Sequence, residues 1–174
     1  MIKFFHIACV SLCLFVAGYP PTIGGQTQQT TAAADVLLNV GGEVERPLKL
    51  TAIDLAKLSR HTTRAKEHDG KEAVFEGVML GDVLRLAGVK FGEELRGKNL
   101  VLYLVVEAAD KYRAVFALPE LDPAFSDRVI LLADRRNGKP LSATEGTLRI
   151  VIPDEKRHAR WVRQVVSLTL RRAA

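Results

Sequence analysis

The chain holds 174 residues, 48% hydrophobic and 26% charged, with a formal charge of +5. This length fits one domain that buries a core without staples, and the composition is ordinary for a globular protein rather than a disordered one. The charge excess is mild. It suits a small anionic ligand or an acidic surface, and with no aromatic-interleaved basic stripe it points to no nucleic-acid partner.

Lys3 followed by an apolar run over residues 4–17, broken only by His6 and Ser11, has the form of a signal peptide. The run is short for a membrane span, which needs ~20 residues. An uncleaved anchor is the alternative. We expect a signal peptide over residues 1–25, with the cut after a small residue between 17 and 34, a disordered linker over 26–35, and one domain over 36–174. The linker segment is rich in Pro, Gly, Gln, Thr and Ala and offers no face to bury. A Sec-type signal implies a secreted or periplasmic protein with no stable membrane span after cleavage. Both cysteines, Cys9 and Cys13, fall in the signal segment. The mature chain then has no disulfide, no sulfur metal ligand and no cysteine nucleophile. Without Lys3 it carries 24 basic and 20 acidic groups, a charge of +4.

Residues 36–40 read as a strand, and Gly41-Gly42 as a tight turn into a second extended segment, which Pro47 confines to an edge or ends. Thr51 caps a short helix over 52–58, with Asp54 in its first turn. Segments 62–67 and 72–75 form a hairpin around His68-Asp69-Gly70-Lys71, with Asp-Gly as a two-residue turn needing positive φ at both positions. A helix over 80–87 ends at Gly88. The apolar run 100–106 reads as a strand buried on both faces. A turn at 109–111 leads into a strand over 112–118 that sets Tyr112, Ala114, Phe116 and Leu118 on one face. Strands follow at 129–133 and 148–152, the first ended by a turn at Arg136-Asn137-Gly138 and the second by Pro153. A short turn or helix at 161–165 precedes a strand at 166–170 that closes the sheet. Strands that directly follow strands argue for an α+β fold with a mixed, strand-rich sheet in a single domain.

Five segments, in order, carry a resemblance. They are Gly41-Gly42-Glu43-Val44-Glu45-Arg46-Pro47-Leu48, Phe75-Glu76-Gly77-Val78-Met79-Leu80, Ala109-Asp110-Lys111-Tyr112 with Phe116, Asn137-Gly138-Lys139-Pro140-Leu141 with Gly146-Thr147-Leu148-Arg149, and Arg160-Trp161-Val162. Together they resemble the molybdopterin-binding domain of sulfite-oxidase-type oxidoreductases across residues 40–165. The resemblance implies a cysteine thiolate on molybdenum, basic groups on the pterin phosphate, and a pocket for an oxyanion or oxo-acceptor substrate. By the same resemblance Arg149 and Arg160 are the cofactor-binding candidates. The chain departs from the pattern at three places. No cysteine lies in the interval before the Gly-Val segment, Glu145 stands where the family has histidine, and Thr147 stands where proline is common. Exported members of the family normally carry a twin-arginine signal, and this signal segment has no arginine.

Other constellations carry two readings each. His68 and Asp69, with His61, are candidate zinc ligands, or the first two simply flank a turn. In the charged loop 154–161, Trp161 stacks on a flat ring or anchors the core. Tyr112 offers a hydroxyl to a pocket or packs on the sheet. No catalytic triad or carboxylate pair is identifiable from spacing, so no catalytic residue is assigned. The sequence therefore supports a non-redox module binding a small anionic or pterin-like ligand, with no cofactor certain and molybdopterin implied only by the resemblance. The alternatives are a molybdopterin-dependent oxidoreductase or a subunit of one, and a structural or protein-interaction domain whose partner is unknown.

Overall fold

Ten strands and two short helices follow one another along the chain in the computed structural model, which describes residues 35–174. The expected signal segment, both cysteines and the linker up to residue 34 lie outside the described residues. The elements are β1 (Leu38–Gly42), β2 (Leu48–Leu50), α1 (Ala52–Ala56), β3 (Arg60–Lys66), β4 (Glu72–Met79), α2 (Leu80–Leu86), β5 (Leu102–Ala108), β6 (Arg113–Ala117), β7 (Leu131–Arg136), β8 (Lys139–Pro140), β9 (Arg149–Val151) and β10 (Val165–Arg172). One sheet has the order β2-β1-β10-β5-β6. In the other, β3-β4-β7 continues to β8, and β9 also pairs with β7. Every described pairing is antiparallel except β1 with β10, which makes the first sheet mixed. The fold is α+β and strand-rich, as the sequence predicts.

Local chemistry explains the helix ends. The Thr51 hydroxyl accepts from the Asp54 amide while the Asp54 carboxylate accepts from the Thr51 amide, a capping box that starts α1. These bonds lower the Asp54 pKa to about 2. Past α2, the Val89 amide donates to Leu84 O and the Gly88 amide to Arg85 O, with Gly88 at φ +84. This double bond pattern needs a left-handed residue at Gly88. Fully buried Leu80, Val83 and Leu84 on α2 join Phe75, Leu104, Phe116, Leu131, Ile150 and Leu168 in one core. Each such side chain stabilises the fold by about 1.5–3 kcal/mol.

Several local expectations need correction. Gly41-Gly42 is not the turn: both residues continue β1, paired with Thr169 and Leu170, and the turn follows them. The hairpin at Asp69-Gly70 is not a two-residue turn with two positive φ angles. Only Gly70 is left-handed, at φ +83, and the Glu67 amide reaches Lys71 O, so the loop holds three residues, 68–70, one more than a two-residue turn. Asn137-Gly138, at φ +50 and +75, is the turn with that conformation. The run 100–106 is not a strand buried on both faces. The strand begins at Leu102, and Leu102, Leu104, Val106 and Ala108 are buried while Tyr103, Val105 and Glu107 on the other face are only partly so. The last strand, β10, lies between β1 and β5 and joins them into one sheet. Pro47 does precede an edge strand, β2. Among the described residues no helix is long and apolar enough to cross a membrane.

Candidate anion-binding site

The loops at the ends of the two sheets enclose an open cleft of ≈ 1270 Å³. Its walls are the β3–β4 turn, the β5–β6 turn around Asp110 and Tyr112, the turn at Ser142–Glu145, and the loop from Pro153 to Arg163.

Arg149 forms the floor. β9 pairs with β7 through Ala133 opposite Arg149, which aims the arginine at the end of the second sheet. Its guanidinium carbon lies 5.3 Å from the ring centres of both Phe75 and Trp161. Nη1 donates to Glu145 Oε1 at 2.7 Å and to Glu67 Oε1 at 3.4 Å. Arg136, at the end of β7, pairs with Glu67, and its Nη1 is 4.0 Å from Glu145 Oε2. The four side chains form one charge-neutral network. Glu67, Glu145 and Arg149 keep only 12%, 8% and 11% of their side-chain surface exposed. Breaking a buried pair of this kind by removing one partner costs about 3–5 kcal/mol. The Nε atoms of Arg136 and Arg149 are buried with no hydrogen-bond partner among the described residues.

Glu145 is fixed twice over. Its carboxylate accepts from the Ser142 amide at 3.2 Å and the Ser142 hydroxyl at 2.7 Å, and its carbonyl accepts from the Gln164 amide at 2.8 Å. Burial pushes its pKa up, but the Ser142 bonds and Arg149 outweigh burial and hold it below the ordinary carboxylate value.

The rim differs in charge from the floor. Lys66, Lys156, Arg157 and Arg163 line the cleft and are exposed. None has a carboxylate within ion-pair distance among the described residues, and the chain before Asp35 contains no Asp or Glu. His68 and His158 also line it, their rings 6.3 Å apart, with His158 packed 4.2 Å from the Trp161 ring.

The sequence-derived candidates divide between this cleft and other places. Arg149 is in the floor. Arg160 is not among the lining residues. It donates to Glu155 at 2.8 Å, to Glu120 at 3.1 Å and to Val115 O at 3.3 Å, with its guanidinium over Phe116. Burial lowers its pKa, and the two carboxylates more than offset this. The structure thus places the two arginines in separate networks. Tyr112 is half exposed on the cleft wall, and its hydroxyl donates to Ala159 O at 2.7 Å, tying two walls together. Trp161 is 5% exposed and donates from Nε1 to Ile152 O at 3.0 Å, so its ring serves the core from beneath the cleft. Asp69 accepts from the Lys71 amide at 3.0 Å and from its ammonium group at 3.2 Å, which lowers its pKa. His61 pairs across from Gly77 on β3, outside the cleft lining. Among the described residues no three His, Cys, Asp or Glu side chains gather as a metal site. Sequence reasoning missed Glu67, Arg136, Lys66 and Arg163. Ser142-x-x-Glu145 carries the pattern of a capping box and could have flagged Glu145 as a turn residue. Nothing local signals Glu67, which lies 82 residues from Arg149.

A search of curated proteins gives no match. Among solved structures, the sulfane dehydrogenase SoxCD from Paracoccus pantotrophus matches with a TM-score of 0.61 and 24% sequence identity, an identity that speaks to the fold alone. The match covers 76% of this chain and 37% of that one, so this chain spans well under half the length of that protein. The profile of the oxidoreductase molybdopterin-binding domain matches residues 25–174. Nearly the whole chain is thus accounted for, and it belongs to the oxidoreductase molybdopterin-binding domain family.

Proposed function

We propose that this chain is an exported, non-redox binding module that takes a small anionic, pterin-like ligand in the cleft. The observation that carries this reading is the rim, where Lys66, Lys156, Arg157 and Arg163 face the cleft without an ion-pair partner among the described residues, while Asp69 on the same rim is paired with Lys71. Such groups favour phosphate or carboxylate oxygens through charge-assisted hydrogen bonds. At ≈ 1270 Å³ the cleft exceeds the usual 300–1,000 Å³ of a small-molecule pocket, so a two-ring ligand with an anionic tail has room.

The family's cofactor fits in part. The rim cations and the buried, unpartnered Nε atoms of Arg136 and Arg149 suit its anionic and polar groups. The metal does not fit the donor set. Residues 35–174 contain no cysteine, and the soft thiolate that molybdenum favours has no counterpart there. Export through a Sec-type signal would also thread the chain unfolded, without a preloaded cofactor.

Native mass spectrometry with elemental analysis on the exported protein tests the reading. The expected result is a mature mass without stoichiometric molybdenum. Titration with inorganic phosphate should then show binding that Lys156→Ala/Arg157→Ala weakens at least about fivefold, the loss of one to two charge-assisted bonds. Stoichiometric molybdenum would overturn it. That result would favour the second reading, an oxidoreductase or a subunit of one, which draws support from the family match itself. No phosphate binding together with a stable protein partner would favour an interaction domain.

A further inference from the structure

Arg136 and Arg149 meet carboxylates of their own chain at the positions where a ligand would otherwise supply oxygens. Glu67 Oε1 and Glu145 Oε1 converge on a single atom, Arg149 Nη1, while the other oxygen of Glu67 pairs with Arg136. Both carboxylates are close to fully buried, so water screens them weakly. We propose that Glu67 and Glu145 are internal counter-anions that occupy the oxyanion positions of Arg136 and Arg149 and exclude dianions from the cleft floor. The proposal rests on reading the cleft as an anion site and adds which part of it takes charge.

Two carboxylates already neutralise two guanidiniums. A phosphate dianion on the floor would place its charge within a few ångströms of both carboxylates, in a region of low dielectric, and be repelled. On the rim, Asp69 and Asp110 are exposed and screened by water, and no carboxylate among the described residues is within ion-pair distance of Lys66, Lys156, Arg157 or Arg163. The ligand is therefore oriented. Its anionic end goes to the rim, and an uncharged body lies over the charge-neutral floor. This assigns Glu67 and Glu145 a selectivity role and makes Arg149 a positioning residue rather than a phosphate ligand.

The test uses inorganic phosphate as probe, read by calorimetry and by melting temperature at neutral pH and low salt. In Glu67→Gln/Glu145→Gln the two arginines lose their counter-charges, and the floor becomes a dianion site. Phosphate should bind this variant about tenfold tighter than the unaltered protein, as one new charge-assisted contact supplies. It should also raise the variant's melting temperature more than it raises that of the unaltered protein. Adding Arg136→Met, at a half-exposed position, should cancel most of the gain. A folded double variant that binds phosphate no tighter overturns the proposal. If the double variant fails to fold, Glu67→Gln alone decides between the same two outcomes, since it leaves the Ser142–Glu145 turn intact. Failure of the cleft reading is separately visible: Lys156→Ala/Arg157→Ala would then leave phosphate binding to the unaltered protein unchanged.

Discussion

Replacing Gly77 by valine should drive β4 and β7 apart. A Cβ built at Gly77 would stand 2.1 Å from Leu132 O and 2.6 Å from the Ala133 Cα. Ordinary carbon–oxygen contact is about 3.3 Å, so the overlap exceeds ~1 Å. The obstructing atoms are backbone, which cannot rotate aside as a side-chain tip would. Relief requires opening the sheet at the bulge between Glu76 and Gly77, where β4 shifts register against β7. The cost of such overpacking is about 3 kcal/mol. At about 4 °C per kcal/mol for a domain of this size, the melting temperature should fall by about 12 °C. Thermal and urea unfolding of Gly77→Val measure this directly. Gly41→Ala is the control, because nothing lies within 4 Å of a Cβ there, and its change should stay within about 0.5 kcal/mol. If Gly77→Val melts with the parent, the close approach of the two strands is not what demands glycine.

Three further outcomes are expected. Thr51→Ala removes the hydroxyl that starts α1 and should destabilise the domain by about 1 kcal/mol in urea unfolding. Trp161→Phe loses the bond to Ile152 O and leaves a void beneath Arg149 and His158, and should cost about 2–3 kcal/mol by the same assay. Glu145 has a lowered folded-state pKa, so its stabilising contribution is fully present above the ordinary carboxylate range and is lost as pH falls through the lower folded value. Urea midpoints measured from pH 6 down to pH 3 should therefore decline less steeply in Glu145→Gln than in the parent.

Legibility in the sequence follows the range of the interactions. Thr51 with Asp54, Gly88 after α2, and Asn137-Gly138 are decided by neighbours within four residues, and the sequence announces each of them. The width of the Asp69-Gly70 loop escapes a local reading because the Glu67 amide and the Lys71 carbonyl set it, not the turn pair alone. The cleft is harder still. Arg149 can be singled out, but its partners Glu67 and Arg136 reach it only through the register of β3, β4, β7 and β9. Arg160 reads as a second anion ligand because it is basic and sits beside Trp161. Its surroundings include Glu120, 40 residues away, and no local pattern reveals that pairing.

The parallel pair of β1 and β10 bears on how the domain comes into being. β10 follows every other strand in the chain, yet it lies between β1 and β5 and bonds to both. Until it arrives, β1-β2 and β5-β6 are two hairpins with no shared partner. Closing the sheet must bring together segments more than 120 residues apart, a slow step in any chain. The sheet cannot be finished until the chain through Arg172 is free to fold, and a deletion of Val165–Arg172 would take out the middle of the sheet, not its margin.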